Sequence, residues 1–235
     1  MLAQPARFPI HCIHIGGPGL SILVDAGLYD YPPDAPQLIP GYWPTLDLLA
    51  GLAAAGIDRK AIQQVLITHA HGDHFNALSE VQDGRLVATF PNARCYLGQA
   101  DWANAQAALG NPDSLESRTF GLLHQQGQLE WVDAQFDLGD SVQILPAPGE
   151  SPGHQIVRIH DQGQTAYCIG DLYHLTAEVA APELVVRWTN GASNRTSRQI
   201  FNVAALNENA LIIATHIHPF GHLQRTATGY RWVDR

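Results

Sequence analysis

Apolar and polar positions alternate along this chain in short runs, and most of those runs are strand-sized. Residues 8–15 and 21–25 are apolar stretches split by Gly16-Gly17-Pro18-Gly19, which predicts a hairpin. Residues 45–55 repeat apolar side chains at helical spacing, with Thr45 placed to cap the start and Gly56 to end it. Ile62 to Thr68 reads as a buried strand, Cys95 to Leu97 as another, and Gln99 to Leu109 as a helix stopped by Gly110-Asn111-Pro112. Further on, strands are predicted at Val142–Leu145, Ile156–His160, Ala166–Ile169, Leu211–Thr215 and Tyr230–Val233, and a helix over Arg198–Leu206. Strands come in runs with helices inserted between them, so the pattern favours packed sheets covered by helices over a strictly alternating parallel fold. Residues 27–44, with five prolines plus Tyr29, Tyr31, Tyr42 and Trp43, and residues 187–197, polar around Trp188, read as loops over a site.

The chain has 235 residues, 46% of them apolar and 15% charged, which suits one folded domain over 1–235 with a sizeable core. A net charge of −9 repels phosphate backbones, so no nucleic-acid partner is expected. No apolar run reaches the roughly 20 residues of a spanning helix, so no membrane association is expected either. Met1 to Pro9 does not read as a signal peptide. Cys12, Cys95 and Cys168 each sit in an apolar, strand-like context and read as free buried thiols, which together with the N-terminus predicts a cytoplasmic protein.

Histidine changes the picture, with 12 copies against 13 Lys plus Arg. His69 and His71 stand two apart where a strand ends, a spacing that points both imidazoles to one side. Gly72 permits a sharp turn, and Asp73 and His74 follow it. Four ligand-type residues within six positions are costly as core filler and fit a borderline-soft ion such as zinc. Later loops add His154 in Ser151-Pro152-Gly153-His154, Asp171 after Gly170, and His216 after Ala214-Thr215, each beside an apolar strand. The last of these has competitors: His218 lies on the same side at i+2, and His222, after Gly221, reads as exposed.

This ordered set resembles the metallo-β-lactamase superfamily of hydrolases over nearly the whole chain. Leu23-Val24-Asp25-Ala26-Gly27 looks like the family's first motif, His69-x-His71-x-Asp73-His74 like its second, and His154, Asp171 and His216 like its third, fourth and fifth. The resemblance implies an α+β fold, an αββα sandwich of two mixed β-sheets flanked by helices. It implies two divalent metal ions, zinc first, with manganese, iron or cobalt as alternatives. His69, His71 and His154 would hold one ion, and Asp73, His74 and His216 the other. Asp171 would bridge them, and Asp25 would support the metal loop from behind.

Two such ions about 3.5–4 Å apart can share a bridging hydroxide that attacks a carbonyl carbon or phosphorus. Tyr173 and His174 are candidate oxyanion donors, and Asp73 is the candidate proton shuttle. A bridging Asp171 speaks against a true β-lactamase. Gly170-Asp171-Leu172-Tyr173-His174, Pro182-Glu183-Leu184, Ala214-Thr215-His216 and Gly229-Tyr230-Arg231-Trp232 resemble the branch of quorum-quenching lactonases and methyl parathion hydrolase-like enzymes. The expected substrate is a small-molecule ester or lactone. Phosphotriesters, phosphodiesters and thioesters are the hydrolytic alternatives, and a non-hydrolytic metal-binding or redox-sensing protein is the alternative of another class. Trp43 and the nearby tyrosines leave a homodimer open.

Overall fold

A computed structural model describes residues 8–28 and 48–235. The predicted loop over 27–44, with Tyr29, Tyr31, Tyr42 and Trp43, therefore lies almost wholly outside the described residues, as does the Thr45 cap. The chain divides into two compact units, one of Cys12–Asp133 and one of Ala134–Arg235 with the described residues up to His11.

The first unit begins with a hairpin, β1 (Ile13–Gly17) and β2 (Leu20–Val24). The first strand starts later than the sequence pattern suggests and runs through Gly16 and Gly17, and the second starts one residue earlier, because Gly17 pairs with Leu20 and only Pro18-Gly19 form the turn. Helix α1 (Leu48–Ala54) leads to β3 (Gln64–Leu66), which is shorter than expected: Ile62 is buried, but it closes a 3-10 turn at Arg59–Ala61. A one-turn helix, α2 (Gly72–Phe75), is followed by a small hairpin, β4 (Ser79–Gln82) and β5 (Arg85–Ala88). Then come β6 (Arg94–Gly98), α3 (Gln99–Ala105), α4 (Leu122–Gln125) and β7 (Leu129–Val132). The expected helix over 99–109 tightens into a 3-10 turn after Ala105.

Five strands make a mixed sheet in the order β1-β2-β3-β6-β7. From β2 to β7 the pairing is parallel. Of these, β2, β3 and β6 are largely apolar and buried, as inner parallel strands are, while β7 at the edge exposes Trp131. Leu23, Val65, Ile67, Leu97 and Leu129 pack with Phe75, Trp102 and Phe120 into one core.

In the second unit, β8 (Phe136–Leu138), β9 (Val142–Pro146), β10 (Gln155–Asp161) and β11 (Gln164–Cys168) precede two helices, α5 (Thr176–Ala180) and α6 (Gly191–Asn207). The chain then ends in β12 (Leu211–Ile213), β13 (Gly221–Arg225) and β14 (Tyr230–Asp234). The seven strands follow sequence order, and all their pairings are antiparallel except that of β11 with β12, which the long α6 crossover makes parallel. Ile156, Tyr167, Ile169, Phe201 and Ile212 form the core of this unit.

The 187–197 loop is corrected here, since residues 191–197 are the first two turns of α6. Asn190 caps that helix by accepting the Ser193 N–H, and the polar run conceals it because Asn194 and Ser197 are buried through small polar side chains. His222 is corrected as well: it lies half-buried in β13, its Nδ1 bonded to the Ala210 carbonyl at 2.9 Å. Each unit combines a mixed sheet with helices, the α+β content that the sequence resemblance implied.

Candidate metal centre

In the first unit, the loop after β3 gathers Asp25, His69, His71, Asp73 and His74. Asp25 organises it from the end of β2. Its Oδ1 accepts the Thr68 N–H at 2.7 Å, and its Oδ2 accepts the Thr68 hydroxyl and the His74 Nδ1–H, both at 2.9 Å. Asp25 adopts φ 60°, a left-handed conformation that costs a non-glycine residue on the order of 1–2 kcal/mol. Three accepted hydrogen bonds to a buried carboxylate offset that cost.

The Thr68 hydroxyl lies 3.2 Å from His69 Nδ1. His69 Nε2 in turn lies 2.8 Å from His71 Nδ1, the convergence that i, i+2 spacing predicts. His74 Nε2 is 3.8 Å from Asp73 Oδ1. Gly72 does not make a left-handed turn; it opens α2, and the space it leaves is taken by Leu115, 3.2 Å from where a Cβ would stand. The other flank of the loop is held by Asp101 of α3, a buried residue whose Oδ2 accepts the Ala70 N–H at 2.8 Å. An acid in the first turn of a helix is an ordinary feature, and nothing local in the sequence marks Asp101 for this contact.

The second unit brings His154, Asp171, His174 and His216 together. His154 Nδ1 donates to the Ala147 carbonyl at 3.0 Å, and its Nε2 accepts the Asp171 N–H at 3.2 Å. His216 Nδ1 donates to the Pro9 carbonyl at 2.7 Å and turns Nε2 to within 3.2 Å of Asp171 Oδ2. His174 stacks on His216 with rings 5.9 Å apart and sets Nε2 3.3 Å from Asp171 Oδ2. His218 is exposed instead, beside His11 and Phe220.

Tyr173 departs from expectation. It is fully buried, donates its hydroxyl to Asn202 Oδ1 at 3.0 Å and lies under the Arg198 guanidinium. That hydroxyl is committed to the core of the unit, where no oxyanion develops, and burial pushes its pKa up to about 12.

Two carboxylates of the cluster escaped the sequence reading. Glu150, four residues before His154, is buried and holds a carboxylate oxygen within 4.8 Å of one of Asp171's. Glu178 accepts the His174 N–H at 3.2 Å and pairs with buried Arg198. Burial works against a charged His174, but Asp171, Glu150 and Glu178 together outweigh it and raise the imidazole's pKa to about 12.

The donor chemistry fits divalent ions. In His74, His154 and His216, Nδ1 is held by a carboxylate or a backbone carbonyl, which fixes the tautomer whose Nε2 carries the lone pair. Metal-ligating histidines are oriented in this way.

The family model of the metallo-beta-lactamase superfamily matches residues 6–216. A curated relative, the uncharacterized protein YobT of Bacillus subtilis (strain 168), is 25% identical over 179 residues, covering 75% of this chain and 67% of the relative. Among solved structures, a probable metal-dependent hydrolase from Staphylococcus aureus superposes with TM-score 0.78 at 20% identity, covering 97% of this chain and 82% of that one. AidC, a dizinc quorum-quenching lactonase solved with the product N-hexanoyl-L-homoserine, superposes with TM-score 0.75 at 20% identity, covering 96% and 79%. The chain belongs to the metallo-beta-lactamase superfamily.

Proposed function

We propose that this chain hydrolyses a small-molecule ester or lactone with two divalent metal ions, zinc first among them. His69, His71 and His154 would hold one ion, Asp73, His74 and His216 would hold the other, and Asp171 would serve both. The observation that carries this reading is the fixed tautomer of His74, His154 and His216, each with Nδ1 engaged by the protein. Bound, the ions supply Lewis acidity and bring a water's pKa close to neutrality.

The chain's own residues do the rest. Asp25 and Asp101 keep the His69–His74 loop in one conformation. His174, with Nε2 3.3 Å from Asp171 Oδ2, offers an N–H to negative charge developing on the substrate oxygen. Asp73, half-buried beside His74, carries the proton to the leaving group. The dizinc lactonase AidC, whose product is an acyl homoserine, supports an ester or lactone as the bond broken. One family model spanning residues 6–216 supports reading the two units as a single metallo-hydrolase domain.

The test is elemental analysis of the purified chain together with a panel of acyl lactones, aryl esters and aryl phosphates. Two ions per chain, and lactone or ester turnover abolished by His71→Ala, are expected. One ion per chain, or turnover no higher than that of His71→Ala, would sink the proposal.

A further inference from the structure

Trp188 is a large aromatic side chain left 65% exposed, yet it is held in a fixed position. Its Nε1–H donates to Glu150 Oε1 at 2.5 Å, and the next residue donates its hydroxyl, Thr189 Oγ1, to Glu150 Oε2 at 2.7 Å. Glu150 is itself only 3% exposed. A buried carboxylate is tolerated only where donors satisfy it, so the contact fixes both partners.

The backbone reinforces the link. The Asn190 N–H donates to the Gly149 carbonyl at 2.8 Å, and the Ser197 hydroxyl donates to the Pro148 carbonyl at 2.7 Å. Four hydrogen bonds thus stitch residues 188–197 to the loop that carries His154. The indole stands edge-on to His174, with rings 6.5 Å apart and 88° between their planes. Glu150 Oε1 lies 3.6 Å from His174 Nε2, which is 3.3 Å from Asp171. An apolar face is therefore presented to solvent one residue away from the candidate ligands.

We propose that Trp188 is a specificity-determining residue that packs on the apolar acyl chain of the substrate, and that Glu150 is the residue that positions its indole. This rests on the ester or lactone reading above. A rigid indole with only two side-chain torsions offers contact area at little entropic cost, and its hydrogen bond removes most of what remains. Leu175 and Leu184, exposed on the stretch between Asp171 and α6, lend the same segment further apolar surface. An acyl chain satisfies that surface, whereas a short or polar acyl group gains nothing from it.

Binding of sodium decanoate and sodium butyrate to the metal-loaded full chain tests this without requiring turnover. Calorimetry and tryptophan quenching are the readouts. Decanoate is expected to bind more tightly than butyrate. Trp188→Ala is expected to weaken decanoate about tenfold, equivalent to about 1.4 kcal/mol, and butyrate less than threefold. Trp188→Phe keeps a ring but loses the bond to Glu150, and should fall between. Glu150→Gln is expected to weaken decanoate while retaining the wild-type metal content. Equal decanoate affinity in the wild type and Trp188→Ala overturns the proposal. Loss of an ion in Glu150→Gln also overturns it, because Glu150 would then be a ligand. A change of oligomeric mass in Trp188→Ala overturns it too, because the indole would then be an interface residue. If the binding pattern holds while no ester or lactone is turned over, the hydrolytic reading fails and the acyl-binding one stands.

Discussion

Replacing Arg198 by Met isolates one buried charge pair and its consequences. Arg198 is 2% exposed. Its guanidinium donates to the Leu172 carbonyl at 2.8 Å and to the Leu184 carbonyl at 2.7 Å, pairs with Glu178, and covers the Tyr173 ring at 4.5 Å. Burial pulls the guanidinium's pKa down from its ordinary value, and Glu178 opposes that pull. Met fills much of the same volume, so the cavity contribution is small and the electrostatic one dominates. Removing one partner of a buried pair strands the other, at about 3–5 kcal/mol. Glu178 is 4% exposed and would lose its guanidinium partner, keeping only His174, 3.8 Å away, as a basic neighbour. For a chain of this size each kcal/mol moves the midpoint roughly 2–4 °C, so the melting temperature should fall by roughly 6–20 °C.

The assay is equilibrium urea unfolding and thermal melting of the wild type, Arg198→Met, Glu178→Gln and the double variant. Glutamine keeps an acceptor for the His174 N–H, which Glu178 now satisfies at 3.2 Å. If the cost is an uncompensated charge, the double variant should be more stable than Arg198→Met alone by roughly 1–3 kcal/mol, the range of coupling between touching residues. A double variant as unstable as the sum of the two singles would refute the argument, and the loss would then belong to packing and the two orphaned carbonyls. Leu172 directly follows Asp171, so weaker metal retention should accompany the loss of stability.

Other perturbations separate supporting groups from candidate ligands. Asp25→Asn leaves one carboxylate-type acceptor where the loop uses two oxygens, and should weaken metal binding about 10–100-fold by competitive chelator titration. His216→Ala should lose one ion per chain by elemental analysis, while His218→Ala, altering an exposed ring beside His11, should keep both. Gly149→Ala places a Cβ 2.4 Å from the Asn194 Cα at φ 153°, so backbone must move; a loss of about 2 kcal/mol or more is expected in urea.

What the sequence carried, and what it did not, follows from the range of each interaction. The His69-to-His74 cluster is legible because its residues are near neighbours and their spacing alone converges the rings. His154, Asp171 and His216 are legible for a related reason: each lies within three residues of a strand end, and strand ends are where a sheet presents side chains. One feature was written plainly and still missed. Asp83-Gly84, at φ 50° and 74°, is the two-residue turn that joins β4 to β5, but the flanking strands are too polar to stand out as apolar runs. Asp101, Glu150 and Glu178 were illegible in a deeper sense. Asp101 acts on a backbone 31 residues away, Glu150 on an indole 38 away, and Glu178 on a guanidinium 20 away. A carboxylate's role is set by which donors the fold brings to it, and those pairings are absent from local pattern. Tyr173 shows the converse: proximity to Asp171 in sequence suggested chemistry, but each residue after the Gly170 turn leaves in a different direction, and position 173 points into the core while position 174 returns to the carboxylate. Apart from Asp25, which the first motif marks, the residues that hold the ligands in place are therefore the ones that sequence conceals, and they are where variants should alter affinity and specificity without removing a ligand.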